Sequence, residues 1–218
     1  MKLVAVIFDL DGVIVESEQV WDRVRRRFVE KHGGTWREDS SRHMMGLSTR
    51  AWAHYLTADL GVTLPEEEVA KQVIEEMKRD YGHTLPLVRG AVPVVRELAT
   101  NWRLAVASGS PMSLIEAVLD GGSIRGEFKV LVSTDEVVAG KPAPDVYIET
   151  ARRLKVRVER CVVVEDSSNG IKSAATAGAR VIAIPNSAHP PDRETLSLAA
   201  LVLADISSLT AEVVRSLQ

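Results

Sequence analysis

Six short stretches of this chain are apolar at nearly every position rather than at every second one. They run from Leu3 to Phe8, Leu104 to Ala107, Val130 to Val132, Cys161 to Val164, Val181 to Ile184 and Leu201 to Leu203. A strand that alternates has one wet face, whereas a strand apolar throughout is covered on both, as in a parallel sheet with helices on each side. Residues at helical spacing fill the intervals: Val92, Val95, Leu98 and Ala99, then Leu114, Ile115, Val118 and Leu119, then Ile148, Ala151 and Leu154. Strand alternating with helix predicts an α/β body built on a doubly wound, mostly parallel sheet.

One long segment breaks that rhythm. Between Ser17 and Leu85 no run reads as a buried strand, while Val20, Val24 and Phe28 recur at helical spacing, as do Ala51 with Tyr55 and Val69, Val73 and Met77. Gly33-Gly34 and Gly61 followed by Pro65 supply breaks, and Pro86 with Gly90 marks the exit. The expected organisation is therefore an α/β core from 1–15 and 86–218, with a small all-helical insert at 16–85 after the first strand, facing the core across a cleft. Within the insert, Arg25-Arg26-Arg27 reads as a solvated helix face.

Composition narrows the function classes. The chain has 218 residues, 45% hydrophobic and 26% charged, which is the balance of a globular protein and far from that of a disordered one. With 27 Lys+Arg against 30 Asp+Glu, the net charge of −3 lacks the basic excess of an electrostatic nucleic-acid binder. A single cysteine, Cys161, rules out an intramolecular disulfide and a Cys-rich zinc site. The apolar opening residues run directly into Asp9 and Asp11 without a small-residue cleavage site, and no apolar run approaches the ~20 residues of a membrane span. A cytoplasmic protein without membrane or nucleic-acid partners is expected, and nothing in the residue pattern sets an oligomeric state.

Polar residues collect where the predicted strands end, the edge at which doubly wound sheets place their ligands. Asp9 and Asp11 follow the first strand, Ser108-Gly109-Ser110 the second, and Glu165-Asp166 the run from Cys161, while Gly140-Lys141-Pro142 lies in the loop after Val130 to Val132. Taken singly, each has an ordinary explanation as a turn, a helix cap or a surface lysine. Together they bring acids to one edge, where like charges ~4 Å apart repel by roughly 4 kcal/mol at an effective dielectric of about 20. Lys141 alone cannot neutralise Asp9, Asp11, Glu165 and Asp166. A hard divalent cation on oxygen ligands, Mg2+ in preference to zinc or a closed calcium cage, meets the remaining demand. The Ser108 hydroxyl and the Gly109 amide, at a strand-to-helix junction, are donors of the kind that receive phosphate oxygens. The chemistry indicated is phosphoryl transfer.

Asp9-Leu10-Asp11-Gly12-Val13, Ser108, Gly140-Lys141-Pro142-Ala143-Pro144-Asp145 and Glu165-Asp166-Ser167 resemble, in order and spacing, the four signature motifs of the haloacid dehalogenase superfamily. The likeness is nearest to its β-phosphoglucomutase-like phosphatases, whose core is Rossmann-like and whose small cap occupies the place of the helical insert. The resemblance implies Asp9 as nucleophile forming an aspartyl-phosphate, and Asp11 as the acid and base that also offers its main-chain carbonyl to Mg2+. It further implies Asp166 as a direct carboxylate ligand, Glu165 as an outer one, and Ser108 and Lys141 as holders of the transferring phosphoryl oxygens. Asp11 favours phosphate chemistry, since attack on a carbon–halogen bond needs no acid for an alcohol.

Three rival readings stand beside a phosphatase for a small phosphorylated metabolite such as a sugar phosphate. A hexose-phosphate mutase of the β-phosphoglucomutase type would carry a cap histidine where this chain has Trp21, which reads as packing beside Val20 and Val24. A phosphoaspartate signalling receiver shares the acceptor aspartate, hydroxyl and lysine, but Asp11 and the insert disfavour it. A dinucleotide-binding protein lacks its G-x-G-x-x-G. Gly46 to Arg50 resembles the family's substrate-sensing cap loop, making Gly46 and Arg50 weak specificity candidates, with a helix capped by Ser48 or Thr49 as the alternative. His43 and His54 show no metal-ligand spacing.

Overall fold

A computed structural model describes residues 2–44, 47–186 and 190–218. In chain order the elements are β1 (Ala5–Phe8), α1 (Glu18–Lys31), α2 (Ser40–Met44), α3 (Thr49–His54), α4 (Glu66–His83) and α5 (Ala91–Ala99). They continue with β2 (Arg103–Ser108), α6 (Met112–Gly121), β3 (Phe128–Ser133), α7 (Asp145–Leu154) and β4 (Cys161–Glu165). The chain closes with α8 (Ser168–Ala177), β5 (Arg180–Ala183), α9 (Arg193–Leu196), β6 (Leu201–Val202) and α10 (Ala211–Ser216).

The strands form one six-stranded sheet in the order β3-β2-β1-β4-β5-β6, and every pairing is parallel. The chain winds outward from β1 in one direction, then returns to its other side and winds outward again, so β1 lies at the reversal where a crevice opens at the carboxyl edge. All six apolar runs are strands of this sheet. Their side chains divide by parity, because successive residues of a strand point to opposite faces. Val6, Phe8, Leu104, Val106, Val162 and Val164 pack with α5, α6 and α10, while Ala5, Ile7, Ala105, Ala107, Cys161 and Val163 meet α7 and α8. Both faces are sealed over β1, β2, β4 and β5, which is why no alternation is visible there; the edge strand β6 is not covered in this way, and its Val202 is 46% exposed.

Of the three helical positions read for α7, Ala151 and Leu154 are buried and Ile148 is not. The buried positions of the helix are Val146, Tyr147, Thr150, Ala151 and Leu154, so Tyr147 takes the place expected for Ile148, which is 49% exposed. A tyrosine with a partner for its hydroxyl tolerates burial as an isoleucine does, and apolarity alone did not distinguish them.

Between Glu18 and His83 the described elements are helical, with α3 running on through a π-turn at Tyr55–Asp59. Two chain segments join these helices to the sheet, and they lie side by side. Glu16 N–H donates to Pro86 O (2.8 Å), Val88 N–H donates to Ile14 O (2.9 Å), and Val15 bridges antiparallel to Leu87. Val24, Phe28, Trp52, Val69, Val73 and Met77 extend the apolar core upward from the sheet without a break. The helical face expected over Arg25 to Arg27 is only partly solvated. Arg26 and Arg27 are outside, but Arg25 is turned inward and is 8% exposed. Arg25 falls one position after Val24 on the apolar side of α1, so its place on the helix overrides its charge.

Candidate active site

Phe8 pairs with Val106 on one side and Val164 on the other, so Asp9 emerges level with Ala107 and Glu165. Into that row comes Lys141, from the loop between β3 and α7. Its ammonium donates to Asp9 Oδ1 at 2.6 Å, Glu165 Oε1 at 2.7 Å and Ala107 O at 3.1 Å, using all three of its hydrogens. Burial would depress this lysine's pKa, but Asp9 and Glu165 outweigh burial and hold it well above the ordinary range.

Glu165 is fully buried and serves as the anchor of the site. Besides Lys141 it accepts from the Tyr147 hydroxyl (2.5 Å), the Asp166 and Ser167 amides (3.1 and 3.3 Å) and the Ser167 hydroxyl (3.1 Å). Two of these donors belong to the start of α8, where unpaired amides face an anion. Gly170 in the first turn has no side chain because none fits: a Cβ there would lie 1.8 Å from Glu165 Oε1.

Asp9, Glu165 and Asp166 each bring a carboxylate oxygen within 4.8 Å of the others, and all three residues are buried. Burial pushes the Asp9 carboxyl up to about 8, with Glu165 and Asp11 adding to the rise against the pull of Lys141. Asp166 is likewise raised, by burial first and then by Glu165 and Asp9. Three buried acids on one ammonium are a surplus of negative charge in an all-oxygen setting, and this donor set fits a hard divalent cation such as Mg2+. The backbone closes tightly on Asp166 as well. Gly12 adopts φ +80°, and a Cβ on it would meet Asp166 Oδ2 at 1.9 Å.

Asp11 stands apart from that cluster, so the four predicted carboxylates divide three and one. Its carboxylate accepts from three hydroxyls: Ser17 on one oxygen, and Ser108 (3.0 Å) and Ser110 (2.8 Å) on the other. Ser17 stands at the N-cap position of α1, yet its hydroxyl turns to Asp11 and not to the amides of that helix. Ser108 is fully buried, accepts from the Ser110 amide (2.9 Å) and contributes nothing to the cavity wall, where Gly109 and Ser110 stand instead. The hydroxyl expected to receive phosphate oxygens is thus spent on Asp11.

A cavity of about 630 Å³ lies between the sheet edge and the helices, with Asp9, Asp11, Lys141 and Asp166 at its floor and Trp21, Arg25 and Trp52 in its roof. Trp21 packs against Trp52 at 5.9 Å between ring centroids, so it combines the expected packing with a place on the cavity wall. Arg50 is exposed on α3 and outside the lining, and Ser48 caps that helix by accepting from the Ala51 amide. Gly46 lies outside the described residues. His43 and His54 face Asp39 and Glu66 on the surface. Sequence reasoning missed Ser17, Ser110, Tyr147 and Arg25. Only Ser110 carried a signal, through its place in Ser108-Gly109-Ser110; the others become neighbours of the site by chain crossing.

A sheet edge that gathers acids around one buried lysine belongs to enzymes that handle anionic esters. The chain belongs to the haloacid dehalogenase-like hydrolases, whose family profile matches residues 6–184. It is 35% identical over 177 residues to a phosphorylated carbohydrates phosphatase of Thermotoga maritima, covering 80% of this chain and 81% of that one. Similarity to hexitol phosphatase B of Escherichia coli is 30% identity over 220 residues, covering 97% and 96% of the two chains. Among solved structures, CbbY from Rhodobacter sphaeroides in complex with phosphate superposes with a TM-score of 0.85 at 26% identity, over 95% of this chain and 96% of that chain. In class the protein is a phosphoric monoester hydrolase. No helix among the described residues is long and apolar enough to cross a membrane.

Proposed function

We propose that this protein is a Mg2+-dependent phosphatase of a small phosphorylated metabolite, in the sugar-phosphate class, working through an aspartyl-phosphate on Asp9. The observation that carries the reading is the Asp9 carboxylate, buried yet open to the cavity, with one oxygen held at 2.6 Å by Lys141. That hydrogen bond fixes the side chain and aims its other oxygen, the geometry a nucleophile needs.

A bound Mg2+, held by Asp9 and Asp166 with the Asp11 carbonyl and Glu165 nearby, would screen the charge of the phosphoryl group. Asp9 attacks phosphorus as the bond to the ester oxygen breaks, and Asp11 gives a proton to the departing alkoxide. Water then adds to the same phosphorus, the bond to Asp9 breaks, and Asp11 takes the proton back. Three hydroxyls hold Asp11 in reach through both steps. The Gly109 amide receives one phosphoryl oxygen and Lys141 another, by turning one hydrogen away from Ala107 O, its longest contact, while Ser108 acts behind them as the positioning hydroxyl of Asp11. Residues 16–85 act as a cap over the core of 1–15 and 86–218, excluding water by closing on the narrow double linker.

Release of inorganic phosphate from a panel of sugar phosphates, with Mg2+ and with chelator, tests this reading. Asp9→Asn should lower kcat by at least about a thousandfold while the protein melts as the wild type does. Conversion of a sugar 1-phosphate to its 6-phosphate without phosphate release would replace the hydrolase reading with the mutase one. An adduct with acetyl phosphate that persists for minutes would favour the receiver.

A further inference from the structure

Among the described residues Arg25 is the one arginine in the cavity lining, and nothing in the catalytic steps above employs it. Its guanidinium carbon lies 4.1 Å from the Trp21 ring centroid and 4.9 Å from that of Trp52. Such stacking holds the plane of the group but leaves its N–H fork free to bond in that plane. The residue is 8% exposed, and its Nε is buried without a hydrogen-bond partner. Two carboxylates act on it from a distance, Asp11 and Asp22. Neither forms an ion pair with it among the described residues. Asp11 is already taken by the hydroxyls of Ser17, Ser108 and Ser110, and Asp22 receives the Ser41 hydroxyl.

A buried arginine left short of an acceptor is costly, because the charge loses water and gains little in return. Here the loss shows as a guanidinium pKa lowered to about 9, chiefly by burial. An arginine stays in such a place at a cost in stability unless an anion arrives to complete it. Arg25 lines the same cavity as Asp9, Gly109 and Lys141, the groups assigned to the transferred phosphate, and comes to it from α1 and not from the sheet edge.

We propose that Arg25 is a specificity residue that receives an oxyanion at the end of the substrate remote from the transferred phosphate, so that the preferred substrates carry a second acidic group, a carboxylate or a second phosphate. The inference rests on the phosphatase reading and deepens it. The planar fork of arginine matches either anion in two parallel hydrogen bonds, and Trp21 and Trp52 set its plane. A carbon chain between the two ends would lie along the apolar part of the roof.

Two substrate pairs that differ only at the remote end supply the test. Phosphate release is measured from 6-phosphogluconate against glucitol 6-phosphate, which exchanges a carboxylate for a hydroxymethyl group, and from fructose 1,6-bisphosphate against fructose 6-phosphate. In the wild type, kcat/KM is expected to favour the doubly acidic member of at least one pair by roughly 10-fold or more, and the pair that responds names the anion. Arg25→Gln should collapse that ratio towards one, mainly through KM, with Arg25→Lys retaining part of it. A wild-type ratio near one in both pairs would overturn the proposal without any variant. So would a preference that survives in both Arg25→Gln and Arg25→Lys, or an equal loss on every substrate, which would make Arg25 a partner of Asp11 or of the roof alone. If p-nitrophenyl phosphate and all four sugar phosphates release no phosphate, the phosphatase reading fails and this inference falls with it. Release without remote-end preference removes this inference only.

Discussion

At the scale of single residues, the site depends on what glycine leaves out as much as on what the acids provide. Gly170 has a side-chain direction filled by Glu165, with both carboxylate oxygens within 2.0 Å of where a Cβ would stand. Replacing it with alanine forces Glu165 away from Lys141 and Tyr147, and Gly170→Ala should destabilise the fold by about 1–3 kcal/mol and cost activity beyond that. Urea unfolding and turnover measured on the same sample check it; an unchanged midpoint would mean that α8 shifts freely. Asp11→Asn keeps the size of the side chain but removes its acid function. Esters of poor alcohol leaving groups should slow by roughly a hundredfold or more relative to an aryl phosphate, whose departure needs little proton help. Equal losses on both classes would place Asp11 outside leaving-group protonation. The acids, Lys141 and the Ser108-Gly109 turn were visible in the sequence because polar residues after apolar runs stand out. Tyr147 and Arg25 were not, since each occupies a helix position whose burial is decided by what crosses above it.

At the scale of elements, the helices above the sheet touch the core rim at a point far from the double linker. Thr49, the first residue of α3, donates through its amide (3.2 Å) and hydroxyl (2.6 Å) to the two oxygens of Asp135, in the turn after β3. Those bonds are exposed, so they contribute little to global stability, yet they join the helical segment to the rim of the sheet domain. Thr49→Val should change unfolding free energy by under about 1 kcal/mol while raising KM and speeding hydrogen exchange in α3. Exchange in α3 matching the wild type would show that the apolar roof alone holds the closed arrangement. Element identity was largely legible from spacing. Faces were less so, as the exposed Ile148 of α7 and the buried Arg25 of α1 show, because a period of 3.6 residues names a stripe but not its centre.

For the whole molecule, burying three acids beneath a helical roof ties stability to pH and to cation. Between 3.8 and about 8, the folded protein keeps a proton on Asp9 that the unfolded chain has released. Asp166 shifts in the same direction. Folded protein therefore holds more protons across this window, and in the absence of divalent cation its stability falls as pH rises through it. Lys141 adds nothing to that slope, since its own raised pKa makes itself felt only above the ordinary lysine value of 10.5. The melting temperature without metal should drop from pH 6 to pH 8, and Mg2+ should raise it more at pH 8, where it competes with fewer protons. A metal-free melting temperature that climbs over that range would contradict the buried acidic cluster.

What the amino-acid order determined by itself was local and periodic: six strands, the inner ones sealed on both faces, a helical interruption after the first, and the chemical types waiting at the strand ends. Hydrophobic burial acts on every residue according to its neighbours in sequence, so those features are written along the chain. Tertiary structure alone decided the division of the four acids into three and one, the diversion of Ser108 to Asp11, and the lodging of Arg25 between two tryptophans. Each of these needs at least one partner far along the chain, 27 positions from Arg25 to Trp52, 97 from Asp11 to Ser108 and 156 from Asp9 to Glu165, and such distances come into being only when the sheet edge and the helices above it close on the same space.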